Sequence, residues 1–425
     1  MIKPALIALI IFFVFPFHAF ACTIFTVKTE HTTYYCNHED YWEYDTRLWI
    51  TPGKDGKYGG IFYGFDDWRQ ASLRESFGKK PDLMIDNFFP DGGMNEKGLS
   101  WDWVANSTVW GSDPNKPEYR KSHVFHDIIQ QYSTVDEAIA FIDKHNINGV
   151  GQTLMSDNFG TSAIIYKQNG KLIVERSKKN YQILGYGERT SASAMLEMSG
   201  NIDIKQIAKI LKASQQGDIN QYSTINDPKN KIVYLFHFQN FDEFIKIDMQ
   251  KEFELGARSY SIPSLFSRIK VQPPTIVRNA GSVSVTFKWQ GKPESIYKLI
   301  YSTDQKFDEY EAVNCGDFPA HFSNYAFLGF CIPACLLFAG IKRKRKHILR
   351  LSLLVCLLLI NSCTIKQRPE YVRYKQTLPK FETEYFSKTI DHLQPGTTYY
   401  WKIAAHPKGN DHFLSETFAH SFVAE

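Results

Sequence analysis

Cys22 follows Ala19-Phe20-Ala21, an order of residues that can create a nucleophile. Small residues at the third and first positions before a cut are what a signal peptidase requires. Cleavage there would leave Cys22 with both a thiol and a free α-amine. Such an amine, with a pKa of roughly 7.7–8.0, can accept the thiol proton near neutral pH. A cysteine of this kind needs no separate histidine to attack a carbonyl carbon. The precursor would be silent, because its amide nitrogen is not basic. Two carboxylates, Glu39 and Asp40, follow at a spacing that a hairpin brings back to the cysteine.

The elements that must position these groups can be read around them. Residues 22–28 (CTIFTVK) are β-branched and apolar, Thr29 to Thr32 is turn-like, and Thr33 to His38 is extended again. A hairpin centred near residues 30 and 31 places Cys22 across from about residue 39. On the same register Cys36 lies near Phe25. An oxidative link between Cys36 and Cys22 that silences the nucleophile is therefore an expectation to test.

Upstream, Lys3 and the apolar run 4–17 (PALIALIIFFVFPF) complete an export signal over residues 1–21. The 425-residue length implies two or three domains. An aromatic content of 15%, with 32 Phe and 23 Tyr, suits strand-rich structure. A net charge of only +4 gives no nucleic-acid signature. None of the seven cysteines has zinc-finger spacing, and no metal or organic cofactor is implied.

Further along, Ile61–Phe65 reads as a strand. Gly92-Gly93-Met94-Asn95-Glu96-Lys97-Gly98-Leu99 reads as a tight turn into a strand from Ser100. Helical periodicity runs over 122–145, with Ser133-Thr134-Val135-Asp136 as a start signal. Strands at 153–156, 161–166 and 171–175 form a meander with Asn169-Gly170 as its hairpin turn. A helix at about 203–214 and strands near 222–226 and 231–237 follow. The class is α+β. His31, His38, His123 and His126 are scattered and read as surface or core residues.

Cys22-Thr23-Ile24-Phe25, Asn37-His38-Glu39-Asp40 and Gly93-Met94-Asn95-Glu96-Lys97-Gly98-Leu99, in that order after the signal cut, resemble the linear amide C–N hydrolases. These are the choloylglycine hydrolase and penicillin V acylase relatives of the N-terminal nucleophile superfamily. The resemblance spans about 22–265. It implies a four-layer αββα fold and hydrolysis of a linear amide through a thioester. It makes Cys22 the nucleophile and Asp40 the aspartate that contacts the α-amine. Asn37 stands where many members have an arginine, and Asp102 is a pocket candidate. Two departures accompany it. Gly185 and Tyr186 occupy the place of an asparagine that serves the oxyanion hole. No arginine lies between Arg189 and Arg258 to match a later active-site arginine. Loss of one oxyanion donor typically costs on the order of 100- to 1000-fold in rate.

The character changes near residue 265. Val271-Gln272-Pro273-Pro274 reads as a linker, and 281–289 and 296–302 as alternating strands. With Leu393-Gln394-Pro395-Gly396-Thr397-Thr398-Tyr399-Tyr400-Trp401-Lys402-Ile403 they resemble, over roughly 272–315 and 370–425, a fibronectin type III domain, an all-β sandwich that with its insertion occupies 272–425. Its halves are separated by apolar runs at 325–341 and 348–363 that flank Lys342-Arg343-Lys344-Arg345-Lys346-His347. This pattern is expected for a transmembrane helical hairpin with a basic cytoplasmic loop. The expected whole is an exported, membrane-anchored, extracytoplasmic amide hydrolase acting on a small-molecule substrate. Two other readings stay open: a weakened hydrolase fold serving as a binding or adhesion module, and an N-terminal-cysteine dipeptidase.

Overall fold

The architecture begins with the expected hairpin. A computed structural model of the chain describes residues 22–41, 45–65, 89–119, 124–147, 149–198, 202–315, 381–410 and 412–425. The expected export signal (1–21) and membrane hairpin (325–341, 348–363) lie outside these residues. Among the described residues no helix is long and apolar enough to cross a membrane.

In chain order the first part holds β1 (Thr23–Lys28), β2 (Thr33–Asp40), β3 (Thr46–Thr51), β4 (Gly60–Phe65), β5 (Phe89–Asn95) and β6 (Ser100–Trp110). Helices α1 (Val124–Gln131) and α2 (Val135–Lys144) follow, then β7 (Gly149–Ser156), β8 (Ser162–Gln168), β9 (Lys171–Glu175) and β10 (Tyr181–Gly185). Next come α3 (Ser191–Glu197), α4 (Ile204–Ala213), β11 (Asn220–Asp227), β12 (Ile232–His237), β13 (Asn240–Asp248), α5 (Met249–Glu254) and β14 (Arg258–Ser261). The last part holds β15 (Lys270–Asn279), β16 (Ser282–Gly291), β17 (Ile296–Ser302), β18 (Glu311–Cys315), β19 (Glu384–Leu393), β20 (Thr398–His406), β21 (Ser415–Thr417) and β22 (His420–Val423).

Two antiparallel sheets dominate. One runs β10-β1-β2-β11-β12-β13 and the other β14-β3-β4-β5-β6-β7-β8-β9. Period-two alternation gives each sheet two apolar faces. Leu48, Ile61, Tyr63 and Met94 of the second sheet meet Tyr222, Val233, Leu235 and Ile245 of the first, forming the core between sheets. The outer face of the first sheet buries Phe25, Val27 and Cys36 against Ala192 and Leu196 of α3 and Ile207 and Leu211 of α4. The outer face of the second buries Trp101, Met155 and Ile165 against Ile128 of α1 and Ala138 and Ile142 of α2. The order is helices, sheet, sheet, helices, a mixed α and β fold as expected.

Three local expectations change. The region 122–145 is two helices, broken where Thr134 forms a capping box with Glu137. Gly92 and Gly93 lie within β5, opposite Tyr63 and Phe62, and the turn begins only after Asn95. They are bare because their neighbours fill the space: a Cβ on Gly93 would come within 2.6 Å of Phe62 Cδ1. Pro273-Pro274 is no linker but part of β15, at a register shift between Gln272 and Thr275. Proline is tolerated there because β15 is an edge strand and the shift removes a ladder bond.

The last part packs a three-stranded sheet, β15-β16-β19, against β17, β20 and β22. Trp289, Trp401, Phe287 and Leu299 are buried between them. The strand β21 pairs with β13, so the first sheet runs on into β20, β17 and β18. At this junction the buried Glu243 carboxylate accepts hydrogen bonds from the Ser267 and Ile269 amides, both at 2.9 Å.

Candidate active site

Thr29 closes the first hairpin, its hydroxyl oxygen accepting from the amides of His31 and Thr32. That turn sets the register Thr23↔His38 and Phe25↔Cys36, so Cys22 faces Glu39. On the other side of β2, Glu39 pairs with Tyr222 of β11, next to a bulge that takes up Gln221. Cys22, Glu39 and Tyr222 therefore form a row across three neighbouring strands. Cross-strand partners share a face, and this face looks toward the second sheet.

The Cys22 thiol donates to Glu39 Oε1 at 3.0 Å, and the Asp40 backbone oxygen lies 3.8 Å from the same Sγ. Asn37 donates through Nδ2 to Glu39 Oε2 at 3.4 Å. The Glu39 carboxyl is thus held between thiol and amide. Burial, and then the neighbouring Glu39 and Asp40 charges, push the Cys22 thiol well above its ordinary value. Burial likewise lifts Glu39 to about 7, although its bonds to Cys22 and Asn37 oppose the shift. At rest the thiol is neutral, and a proton acceptor stands beside it.

Asp40, expected at the α-amine, turns its carboxyl to the opposite face. Oδ1 lies 3.1 Å from His38 Nε2, and Oδ2 accepts from the Gln216 amide at 3.3 Å. His38 Nδ1 meets Ser223 Oγ at 3.0 Å. Asn220 Nδ2 donates to the Glu39 carbonyl oxygen at 3.1 Å, tying this polar cluster to the strand that carries the site. His38, read from sequence as a scattered histidine, is Asp40's partner. The carboxylate that reaches the Cys22 thiol is Glu39's, because residues 35, 37 and 39 share Cys22's face while 36, 38 and 40 do not.

The same parity corrects the expectation for Cys36. It packs with Phe25 against α3 and α4, while Cys22 clusters with Ile24, Tyr35, Val104 and Leu154 on the inner face. Both are free thiols on opposite sides of one sheet, which rules out a direct link without breaking the strands.

Asp102 does come to the site. It sits on β6 opposite Leu154, one of the residues packed around Cys22, and is fully buried. Burial and the Glu39 and Asp91 charges hold its carboxyl well above the ordinary range. Gly185 and Tyr186 also adjoin Cys22. The Tyr186 amide donates to the Cys22 carbonyl oxygen at 3.2 Å, and a Cβ on Gly185 (φ +101°) would strike that oxygen. The place expected to offer an oxyanion amide is next to Cys22 but carries no side-chain amide. No group of His, Cys, Asp or Glu that could hold a metal ion occurs among the described residues.

No protein-family model matches the chain, and no curated protein matches it. Among solved structures it is similar to a variant of conjugated bile acid hydrolase from Clostridium perfringens. The TM-score is 0.43 and the identity 15%, over 56% of this chain and 96% of that one. It is similar to penicillin V acylase from Agrobacterium tumefaciens with a TM-score of 0.44 and 17% identity, over 56% of this chain and 91% of that one. At these TM-scores the likeness carries no argument about activity, which has to come from the site itself.

Proposed function

We propose that the protein hydrolyses the C–N bond of a linear amide, with Cys22 as an N-terminal nucleophile exposed by removal of residues 1–21. One observation carries this reading: a buried thiol at the head of β1, 3.0 Å from a carboxylate able to take its proton. Glu39 accepts that proton as Sγ attacks the carbonyl carbon. The Cys22 α-ammonium, favoured in its charged form by the carboxylates around it, protonates the leaving nitrogen. Water then attacks the thioester, giving a proton back to the α-amine, and the departing thiolate recovers its own from Glu39.

Asn37 orients Glu39, and Asp40 with His38 braces the strand that carries both. We place the catalytic part at 22–265 and an anchoring or supporting fibronectin type III-like part at 272–425, with catalysis outside the cytoplasm. No cofactor enters the scheme. The absence of a side-chain amide at Gly185 and Tyr186 favours a second reading, in which the fold has lost its rate and serves as a binding module. Labelling with a thiol-directed amide analogue separates the two. A labelled Cys22 at a mature N-terminus supports the hydrolase, and an unlabelled one supports the binding module.

A further inference from the structure

The row Cys22–Glu39–Tyr222 faces Asp102 across the space between the sheets, and the two sides carry groups without partners. Asp102 Oδ1 accepts from the Trp103 amide at 2.6 Å, but Oδ2 has no hydrogen-bond partner among the described residues. This oxygen lies over the bare Cα of Gly92, where a Cβ would collide with it. The Tyr222 hydroxyl is also fully buried and has no hydrogen-bond partner among the described residues. Burial, and then the neighbouring Glu39, Asp102 and Asp91 carboxyl groups, oppose its ionisation. No described Lys or Arg pairs with Glu39 or Asp102. Buried carboxyl groups without a counter-ion resist ionisation, and a cation bound among them would favour their charged forms.

We propose that Glu39, Asp102 and Tyr222 form a cation-binding subsite beside the nucleophile, selecting amides with a positively charged nitrogen next to the scissile carbonyl. This rests on the reading of Cys22 as the nucleophile. Because Glu39 touches Sγ, a cation site there suits an ammonium two bonds from the reacting carbon. An ammonium brings up to three donors, matching the free oxygens of Asp102 and Tyr222 and the carboxylate of Glu39. Anionic acyl groups would meet repulsion at the same place.

The test compares glycyl-, propionyl- and succinyl-p-nitroanilide at neutral pH. The first two differ only in an ammonium replacing a methyl. The subsite predicts at least a tenfold higher kcat/KM for the glycyl compound than for the propionyl one, and the lowest value for the succinyl one. Asp102→Asn should shrink the glycyl-to-propionyl ratio at least tenfold. Tyr222→Phe, which removes one hydroxyl, should shrink it severalfold. Protection of Cys22 from iodoacetamide by glycinamide against propionamide reads the same preference without turnover. Turnover of all three substrates without preference overturns the subsite and leaves the hydrolase. That is also the result if the Cys22 α-ammonium alone fills the space. Preferential protection by glycinamide with no turnover keeps the subsite and overturns the hydrolase. An unchanged ratio in Asp102→Asn overturns the assignment of that residue.

Discussion

Cys22 Sγ lies 3.0 Å from Glu39 Oε1, joining the residue at the head of β1 to the face of β2 that looks into the molecule. In the proposed mechanism Glu39 takes the Cys22 proton through this contact, and two pH effects follow from its raised pKa of about 7. Attack needs the ionised carboxylate, so kcat/KM should rise with pH through about 7. Glu39→Gln should remove this limb and lower kcat/KM on the order of 100-fold or more. A pH–rate profile of both proteins checks it.

Stability carries the opposite sign. The folded protein keeps a proton on Glu39 between its ordinary value of 4.5 and about 7, where the unfolded chain has released it. The stabilisation this confers is complete below about 4.5, falls as pH rises toward 7 and is then gone. Denaturant midpoints between pH 5 and 8 should therefore decline, and Glu39→Gln should flatten that decline.

Asp40 and Glu39 make different demands. With its carboxyl on His38 and the Gln216 amide, Asp40 acts through the strand. Asp40→Asn should lower the melting temperature and slow labelling of Cys22 less than Glu39→Gln does. A larger loss of labelling in Asp40→Asn at unchanged stability would return the leading role to Asp40.

Redox state should not matter through Cys36. The two thiols face opposite layers, so activity should be equal with and without reductant. Cys36→Ser should leave that equality intact while costing about 1–3 kcal/mol, because a hydroxyl enters an apolar cluster. Activity assays in both redox states and a denaturant curve measure this.

Glu243 supports the junction between the first sheet and the C-terminal strands. Glu243→Ala would strand the Ser267 and Ile269 amides, at a cost on the order of 3 kcal/mol. Chemical denaturation should show the loss, and Glu243→Gln should recover part of it.

Much of the scaffold was legible where the signal is local. The Thr29 turn and the β-branched runs around it foretold the hairpin and its register, and Ser133-Thr134 marked the start of α2. The site was legible only in part. Cys22 and Asp102 could both be singled out in the sequence, and Asp102 lies opposite Leu154, which packs against Cys22. The choice between Glu39 and Asp40 depended on which parity of β2 faces inward, and only the sheet–sheet packing decides that. Tyr222 and Asn220 were invisible because β2 and β11 pair across about 180 residues of chain, and nothing near either residue announces the other. The glycines of β5 misled because bare backbone serves close packing as well as turns.

The central claim is that Cys22 becomes the N-terminus and carries the acyl group. Intact-mass and peptide mass spectrometry of the full-length expressed protein, acid-quenched during turnover of an amide substrate, tests it directly. The account predicts a chain beginning at Cys22 with an acyl adduct on that residue, lost on treatment with hydroxylamine. An uncut N-terminus, or an adduct on any other residue, would contradict it.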